Sequence, residues 1–139
     1  MTRRWVAAGL VLWAGAGAGA AEVSGPALDY ALNCQGCHRA DGAATGDSVP
    51  ALAESVARFL GVPGGREYLV RVPGVAQAPL DDAATAGVLN WILGRFDREH
   101  LPADFVPYTA AEVGRLRGSP LTNVGRVRDE LLQAIGRAR

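Results

Sequence analysis

Two cysteines and a histidine stand close together in the segment 34–38 (CQGCH). Thiols three positions apart can add to the two vinyl groups of a haem, and the imidazole of the next residue can bind its iron. The pattern therefore predicts one covalent haem c per chain, with thioether bonds to Cys34 and Cys37 and with His38 as the metal ligand. The chain has no other cysteine, and its only other histidine is His100.

Two other interpretations of the CxxC spacing fit the surrounding sequence less well. A thiol-disulfide site needs no histidine after its second cysteine, and it opens a helix that follows a hydrophobic strand. Here the preceding residues 26–33 (PALDYALN) predict a short helix instead. A zinc site would need a fourth ligand, which the chain can hardly supply.

Residues 1–20 have the pattern of a cleavable secretory signal peptide. Arg3 and Arg4 precede an apolar run over residues 5–13, and small residues follow up to position 20. We therefore expect a periplasmic protein with no membrane span after cleavage. A retained membrane anchor is the alternative, but the apolar run is shorter than the roughly 20 residues that span a bilayer.

The composition is that of one small globular protein and not of a nucleic-acid binder. Of 139 residues, 14 are basic and 14 are acidic, which leaves a net charge of zero. All basic residues are arginine, so no lysine is available as a general base or a metal ligand. Met1 is the only methionine, and cleavage of the signal peptide would remove it.

The periodicity of apolar residues predicts an all-α protein. An N-cap at Asp81 starts the longest helix, and Thr109 with Glu112 forms a capping box for a later one. Prolines at 73 and 79 predict a loop over residues 72–80. The predicted helical segments are 26–33, 54–60, 65–71, 82–96, 110–117 and an amphipathic last helix whose apolar positions run from 121 to 135.

The region 25–96 resembles the class I c-type cytochromes, small monohaem proteins in which a helix carrying CxxCH crosses a later helix. CxxCH is the most specific part of the resemblance. The resemblance implies a cytochrome c-like haem domain over residues 21–96 and leaves 97–139 as a helical C-terminal extension. The extension either enlarges the core, which we favour, or presents apolar residues to a partner; these are Val124, Val127 and Leu131.

The resemblance also implies roles for single residues. Tyr30 and Trp91 match two aromatic residues that pack together where the helices cross. Pro50 and Leu52 match a Pro-x-Leu segment, in which the proline carbonyl accepts a hydrogen bond from the ligand imidazole and the leucine lies on the haem. Ordinary core packing is the alternative for Tyr30, Trp91 and Leu52.

The sequence departs from this family at the sixth iron ligand. The family usually supplies a methionine from the loop before the last helix, here 72–80, where the position falls at Val72 or near Gln77. His100 would give a bis-histidine iron, but it follows the end of that helix, and we expect it to be a surface residue. The amide of Gln77 is a weak ligand for iron. We therefore expect an open or water-occupied sixth position.

The predicted function is transfer of single electrons between an exported dehydrogenase and a terminal acceptor or oxidase. A fixed haem with an exposed edge is sufficient for this, and no catalytic triad or phosphate loop indicates an enzyme. The alternative is a five-coordinate haem protein that binds small ligands, as a gas sensor or a weak peroxidase. Peroxide cleavage normally needs a distal histidine, which the loop lacks. Candidate docking residues are Arg39, Arg58, Arg66 and Arg71, unless these are simply solvated surface charges.

Overall fold

The structure is a computed structural model that describes residues 25–138, so the predicted signal peptide lies outside the described residues. Residues 25–138 form helices and no strand, apart from one isolated bridge between Thr45 and Val49, and the all-α prediction is confirmed. None of the helices in this part of the chain is long and apolar enough to cross a membrane. The α-helices are α1 (Pro26–Asn33), α2 (Gln35–His38), α3 (Gly65–Arg71), α4 (Pro73–Ala76), α5 (Asp82–Phe96), α6 (Ala110–Arg117) and α7 (Val124–Arg137), and two 3-10 helices cover Ala57–Gly61 and Arg98–His100.

Side-chain caps start two helices at the expected residues. The Asp81 carboxylate accepts the amide hydrogen of Ala84 at 2.7 Å and begins α5. The Thr109 hydroxyl accepts that of Glu112 at 3.2 Å and begins α6. Each cap satisfies an amide that has no partner inside its own helix, which fixes where the helix begins.

Two segments differ from their predictions. The segment 54–60 contains no α-helix, and its regular part is the 3-10 helix Ala57–Gly61, because Pro63 lies too close for a longer helix to form. Part of the predicted loop 72–80 is helical, since α4 covers Pro73–Ala76 with its proline at the start. Proline is favoured at a first helical position, where its missing amide hydrogen costs nothing.

The core forms where α1 packs against α5. Tyr30 is only 2% exposed, and its ring centroid lies 5.2 Å from that of Trp91 and 5.1 Å from that of Phe96. Trp91 and Phe96 also contact each other edge to face, at 5.5 Å. Such tilted arrangements are the favourable ones for aromatic rings. The contact between Tyr30 and Trp91 expected from the resemblance is present.

The C-terminal extension packs onto the same core. Tyr108, Val113 and Leu131 are buried in one hydrophobic cluster with Tyr30 and the apolar face of α5. Asn90 of α5 holds the backbone of Tyr108 through two hydrogen bonds, one to its carbonyl at 3.0 Å and one from its amide at 2.8 Å. Val124 and Val127 are half-buried against this core. The helices of the extension therefore enlarge the core.

Two of the four candidate docking arginines hold the extension in place. Arg66 donates two hydrogen bonds to the Glu112 carboxylate, at 2.6 and 2.8 Å, and its guanidinium lies 4.1 Å above the ring of Tyr108. Arg71 donates to the carbonyl of Ser119 at 2.7 Å. Both guanidinium groups are engaged in contacts within the protein, and the structure therefore favours an internal structural role over docking for Arg66 and Arg71.

The Glu112→Gln variant should lose less of its free energy of unfolding on acidification than the wild type does. The hydrogen bonds from Arg66, and secondarily its charge, hold the pKa of Glu112 below the ordinary value of 4.5. A carboxylate with a lowered folded pKa contributes its full stabilisation above its ordinary pKa, and this contribution is lost as the pH falls through the folded pKa. Urea unfolding at neutral pH and at acid pH measures the difference. If both proteins lose the same stability on acidification, the Arg66–Glu112 pair is not responsible.

Candidate functional site

One turn of helix brings the two cysteines and the histidine together. The carbonyl of Cys34, between α1 and α2, accepts the amide hydrogens of Cys37 at 3.1 Å and of His38 at 3.0 Å. Residues three and four positions apart lie on the same side of a helix. Both thiols are free, with Cys34 half-buried and Cys37 exposed. The two sulfur atoms are therefore available for covalent bonds to a bound group.

The imidazole of His38 is oriented by the loop that follows it. Its Nδ1 atom lies 3.1 Å from the carbonyl oxygen of Pro50. A carbonyl can only accept, so this contact places the hydrogen on Nδ1 and leaves the lone pair of Nε2 free for a metal ion. Burial lowers the pKa of His38, partly opposed by the hydrogen bond to Pro50. The neutral imidazole, which is the form that binds iron, is therefore favoured.

The hydroxyl of Tyr30 fixes the chain just after the CxxCH motif. It donates a hydrogen bond to the carbonyl of Arg39 at 2.7 Å and lies 3.3 Å from that of His38. Burial raises the pKa of Tyr30, which keeps the hydroxyl protonated as a donor. Since the ring of Tyr30 packs on α5, one side chain connects the motif to the opposite helix.

Gly42 determines the path of the loop between His38 and Pro50. It has a φ of +73°, and a Cβ atom added there would lie 2.8 Å from the ring of Phe96. Its carbonyl accepts the amide hydrogens of Leu52 at 2.8 Å and of Ala53 at 3.1 Å. A left-handed conformation with no room for a side chain requires glycine. The loop therefore closes against the end of α5, with Pro50 at His38 and Leu52 half-buried against the core.

The two candidates for a sixth iron ligand, Gln77 and His100, differ in their exposure and in their contacts. Gln77 is exposed, just after α4. His100 lies at the surface but is half-buried, because its Nδ1 atom pairs with the carboxylate of Asp97 and its side chain is 29% exposed. Asp97 is 3% exposed and also accepts the amide hydrogen of Ala57 at 2.7 Å. A buried carboxylate needs such partners, and this need accounts for the position of His100.

Three residues with clear structural roles were not singled out by sequence reasoning. Gly42 lies in a run of small and polar residues that signals a turn, and this signal could have marked it. The burial of Asp97 and the contacts of Arg117 carry no comparable local signal, since Ala57 and the residues that Arg117 binds lie more than 30 positions away in the sequence. Among residues 25–138, no three His, Cys, Asp or Glu side chains are grouped so that they could hold a metal ion.

The chain is similar to cytochrome c-552 of Thermus thermophilus, with 36% identity over 107 residues that cover 64% of this chain and 82% of the relative. A second cytochrome c-552, from a named strain of the same species, shows the same identity over the same length, and the match covers 72% of that protein. No protein-family model matches the chain.

Gly42→Ala should destabilise the protein and loosen the His38–Pro50 contact. Alanine would have to adopt a positive φ and would displace the ring of Phe96, and a strained backbone of this kind costs on the order of 1–3 kcal/mol before any clash is counted. Thermal unfolding measures the loss. Gly46→Ala is a matched control, because its φ is also positive (+58°) but nothing lies within 4 Å of an added Cβ. Equal losses in the two variants would show that the contact with Phe96 is unimportant.

Proposed function

This chain belongs to the c-type cytochromes, which bind haem c covalently and act in electron transport, and on this premise we propose that it is an exported single-haem electron carrier. Cys34 and Cys37 form the thioether bonds, and His38 is the iron ligand. The observation that carries the proposal is the contact of His38 with the Pro50 carbonyl beside two free thiols. It leaves Nε2 available at the site where covalent attachment is also possible.

The residues of the site fit a covalently bound haem. Haem supplies an iron that accepts and releases one electron. Pro50 holds the imidazole in one orientation and one tautomer through its carbonyl, and such a contact also raises the basicity of the coordinating nitrogen. We assign Leu52 to the apolar wall beside the haem because its amide is fixed by Gly42 close to Pro50. Tyr30 keeps the motif and this wall in one rigid arrangement.

We further propose that no residue of the chain occupies the sixth position of the iron. The described part of the chain contains no methionine. His100 follows the C-terminal end of α5, whereas the segment 72–80 precedes its start, and the contact with Asp97 holds His100 at that end. Gln77 offers only an amide oxygen, which binds iron weakly. Water or an external ligand is then the group that completes the coordination.

The proposed location and partners follow from the signal pattern and the family. Residues 1–20 support export to the periplasm, where an exported dehydrogenase would donate electrons and a terminal acceptor or oxidase would receive them. Relatives that are cytochromes favour a carrier over the alternative of a gas sensor or weak peroxidase. Of the candidate docking arginines, Arg39 remains exposed for a partner, with only a distant carboxylate of Asp41 at 3.9 Å.

Mass spectrometry of the denatured mature protein should show one haem added to the polypeptide. Cys34→Ala and Cys37→Ala should each leave a single thioether bond and a less stable holoprotein. His38→Ala should retain both sulfur atoms but remove the ligand, and the folded yield should fall because a bound haem forms part of a small core. The bare polypeptide mass, or a disulfide between Cys34 and Cys37, would refute the assignment.

Electron paramagnetic resonance of the ferric protein should show a high-spin iron, and the ferrous protein should bind carbon monoxide readily. The reason is that no iron–protein bond must first break. His100→Ala and Gln77→Ala should both leave the spectrum unchanged. A low-spin signal that disappears in one of these variants would identify that residue as the sixth ligand and contradict the open site.

A further inference from the structure

Arg117, the last residue of α6, binds three backbone carbonyls from the end of α4 and the segment that connects it to α5. Its Nε atom donates to Ala76 at 3.1 Å, Nη2 to Ala78 at 2.7 Å and Nη1 to Leu80 at 2.7 Å. The side chain is only 16% exposed. Three carbonyls from alternate residues thus converge on one guanidinium, and the segment curves around it.

The same guanidinium also contacts the first turn of α5. Nη1 lies 3.3 Å from a carboxylate oxygen of Asp82 and 3.2 Å from the hydroxyl of the buried Thr85. Arg117 therefore contacts α4, the connecting segment and α5 at once. Arginine is suited to this because its planar group directs five N–H donors at fixed angles.

Gly114 lies close to the start of α5. It is one turn before Arg117 in α6, and a Cβ atom added there would be 2.5 Å from a carboxylate oxygen of Asp82. A side chain at this position would therefore push the Asp82 carboxylate aside, next to its contact with Arg117.

The segment has few other means of keeping its conformation. Its side chains from Ala76 to Leu80 are two alanines, an exposed Gln77, an exposed proline and a half-buried Leu80. Small or exposed side chains contribute little apolar burial. Beyond the backbone hydrogen bonds of residues 75–78, the segment is therefore held by the hydrogen bonds that the largely buried Arg117 donates to its carbonyls.

From this arrangement we propose that Arg117 is a positioning residue for the segment 76–80 and thereby sets how readily an external ligand reaches the haem iron. The proposal rests on the proposed function and on the resemblance, which implies that the loop 72–80 is the one from which such cytochromes usually supply the sixth ligand. The contacts of Arg117 do not depend on the haem, because all of them join residues that the structure describes. The C-terminal extension, through one side chain, then controls a site whose covalent attachment lies at the other end of the sequence.

Three variants test the proposal. Arg117→Ala removes the cation, Arg117→Lys keeps the charge without the planar group, and Arg126→Ala is the control because it removes an exposed arginine of the extension that pairs only with Glu130. Hydrogen–deuterium exchange reports on the backbone amides of residues 75–78, which bond within their own segment. Stopped-flow binding of carbon monoxide to the ferrous protein, well below the melting temperature, reports on access to the iron.

Arg117→Ala should exchange these amides about tenfold faster, since loss of roughly one or two net hydrogen bonds makes opening of the segment about that much more frequent, and it should bind carbon monoxide faster than the wild type. Arg117→Lys should lie between it and the wild type, and Arg126→Ala should match the wild type in both measurements. A lowered melting temperature with an unchanged binding rate would overturn the proposal, because it would make Arg117 purely structural. If Arg117→Ala does not fold, the lysine variant decides the question.

The failure of the proposed function would be visible in the wild type alone. A low-spin iron with a protein ligand, which binds no carbon monoxide, would refute the open site whatever Arg117 does. In that case the reduction potential replaces the binding rate as the measurement at the iron. A different potential in Arg117→Ala, together with faster exchange of residues 75–78, would support the positioning role, and an unchanged potential would overturn it.

Discussion

Burial of Tyr30 between α1 and α5 is the contact on which the geometry of the site depends. Its ring joins two aromatic residues of α5, and its hydroxyl holds the backbone immediately after His38. The orientation of CxxCH is therefore set by a helix that follows much later in the chain. The loop to Pro50 is held at the same place, because Gly42 lies against the ring of Phe96. The CxxCH motif, the loop to Pro50 and the C-terminal end of α5 therefore form one packed unit. A substitution in any of the three would disturb the other two.

Arginine donates most of the side-chain hydrogen bonds that join distant parts of the chain among the described residues. Arg66, Arg71 and Arg117 each donate to a backbone carbonyl more than one element away, and Arg66 adds a two-point contact with Glu112. A planar group with several donors can satisfy carbonyls that no helix or turn uses, whereas an ammonium group binds as a single point charge. In a chain without lysine, these three arginines thus act as internal connectors, whereas others such as Arg39 and Arg126 remain exposed at the surface.

Local patterns explain which parts of the fold were predictable. The helix over 26–33, the caps at Asp81 and Thr109 and the CxxCH motif each depend on a few neighbouring residues, and the structure contains all of these elements. Arg66 and Arg71 were candidates for docking or for solvated surface charge, and their contacts with Glu112 and Ser119 could not be foreseen because these partners come close only in the folded chain. The burial of Asp97 has the same origin, since it accepts the amide hydrogen of Ala57, 40 positions earlier. Its contact with His100 is local, at a separation of three positions, but nothing in the segment 97–100 signals that the carboxylate is buried. Spacing can identify a candidate ligand, but only tertiary packing decides what surrounds it.

The distance in sequence between α1 and α5 also has a consequence for the order of events as the chain is made. A chain is synthesised from its N-terminus, so CxxCH emerges while α5 is still missing. An isolated helix of eight residues such as α1 is not stable in water. During this interval Tyr30 lacks its aromatic partners on α5, and the segment with both thiols is not yet packed. The late position of α5 therefore delays the folding of the CxxCH segment relative to its synthesis.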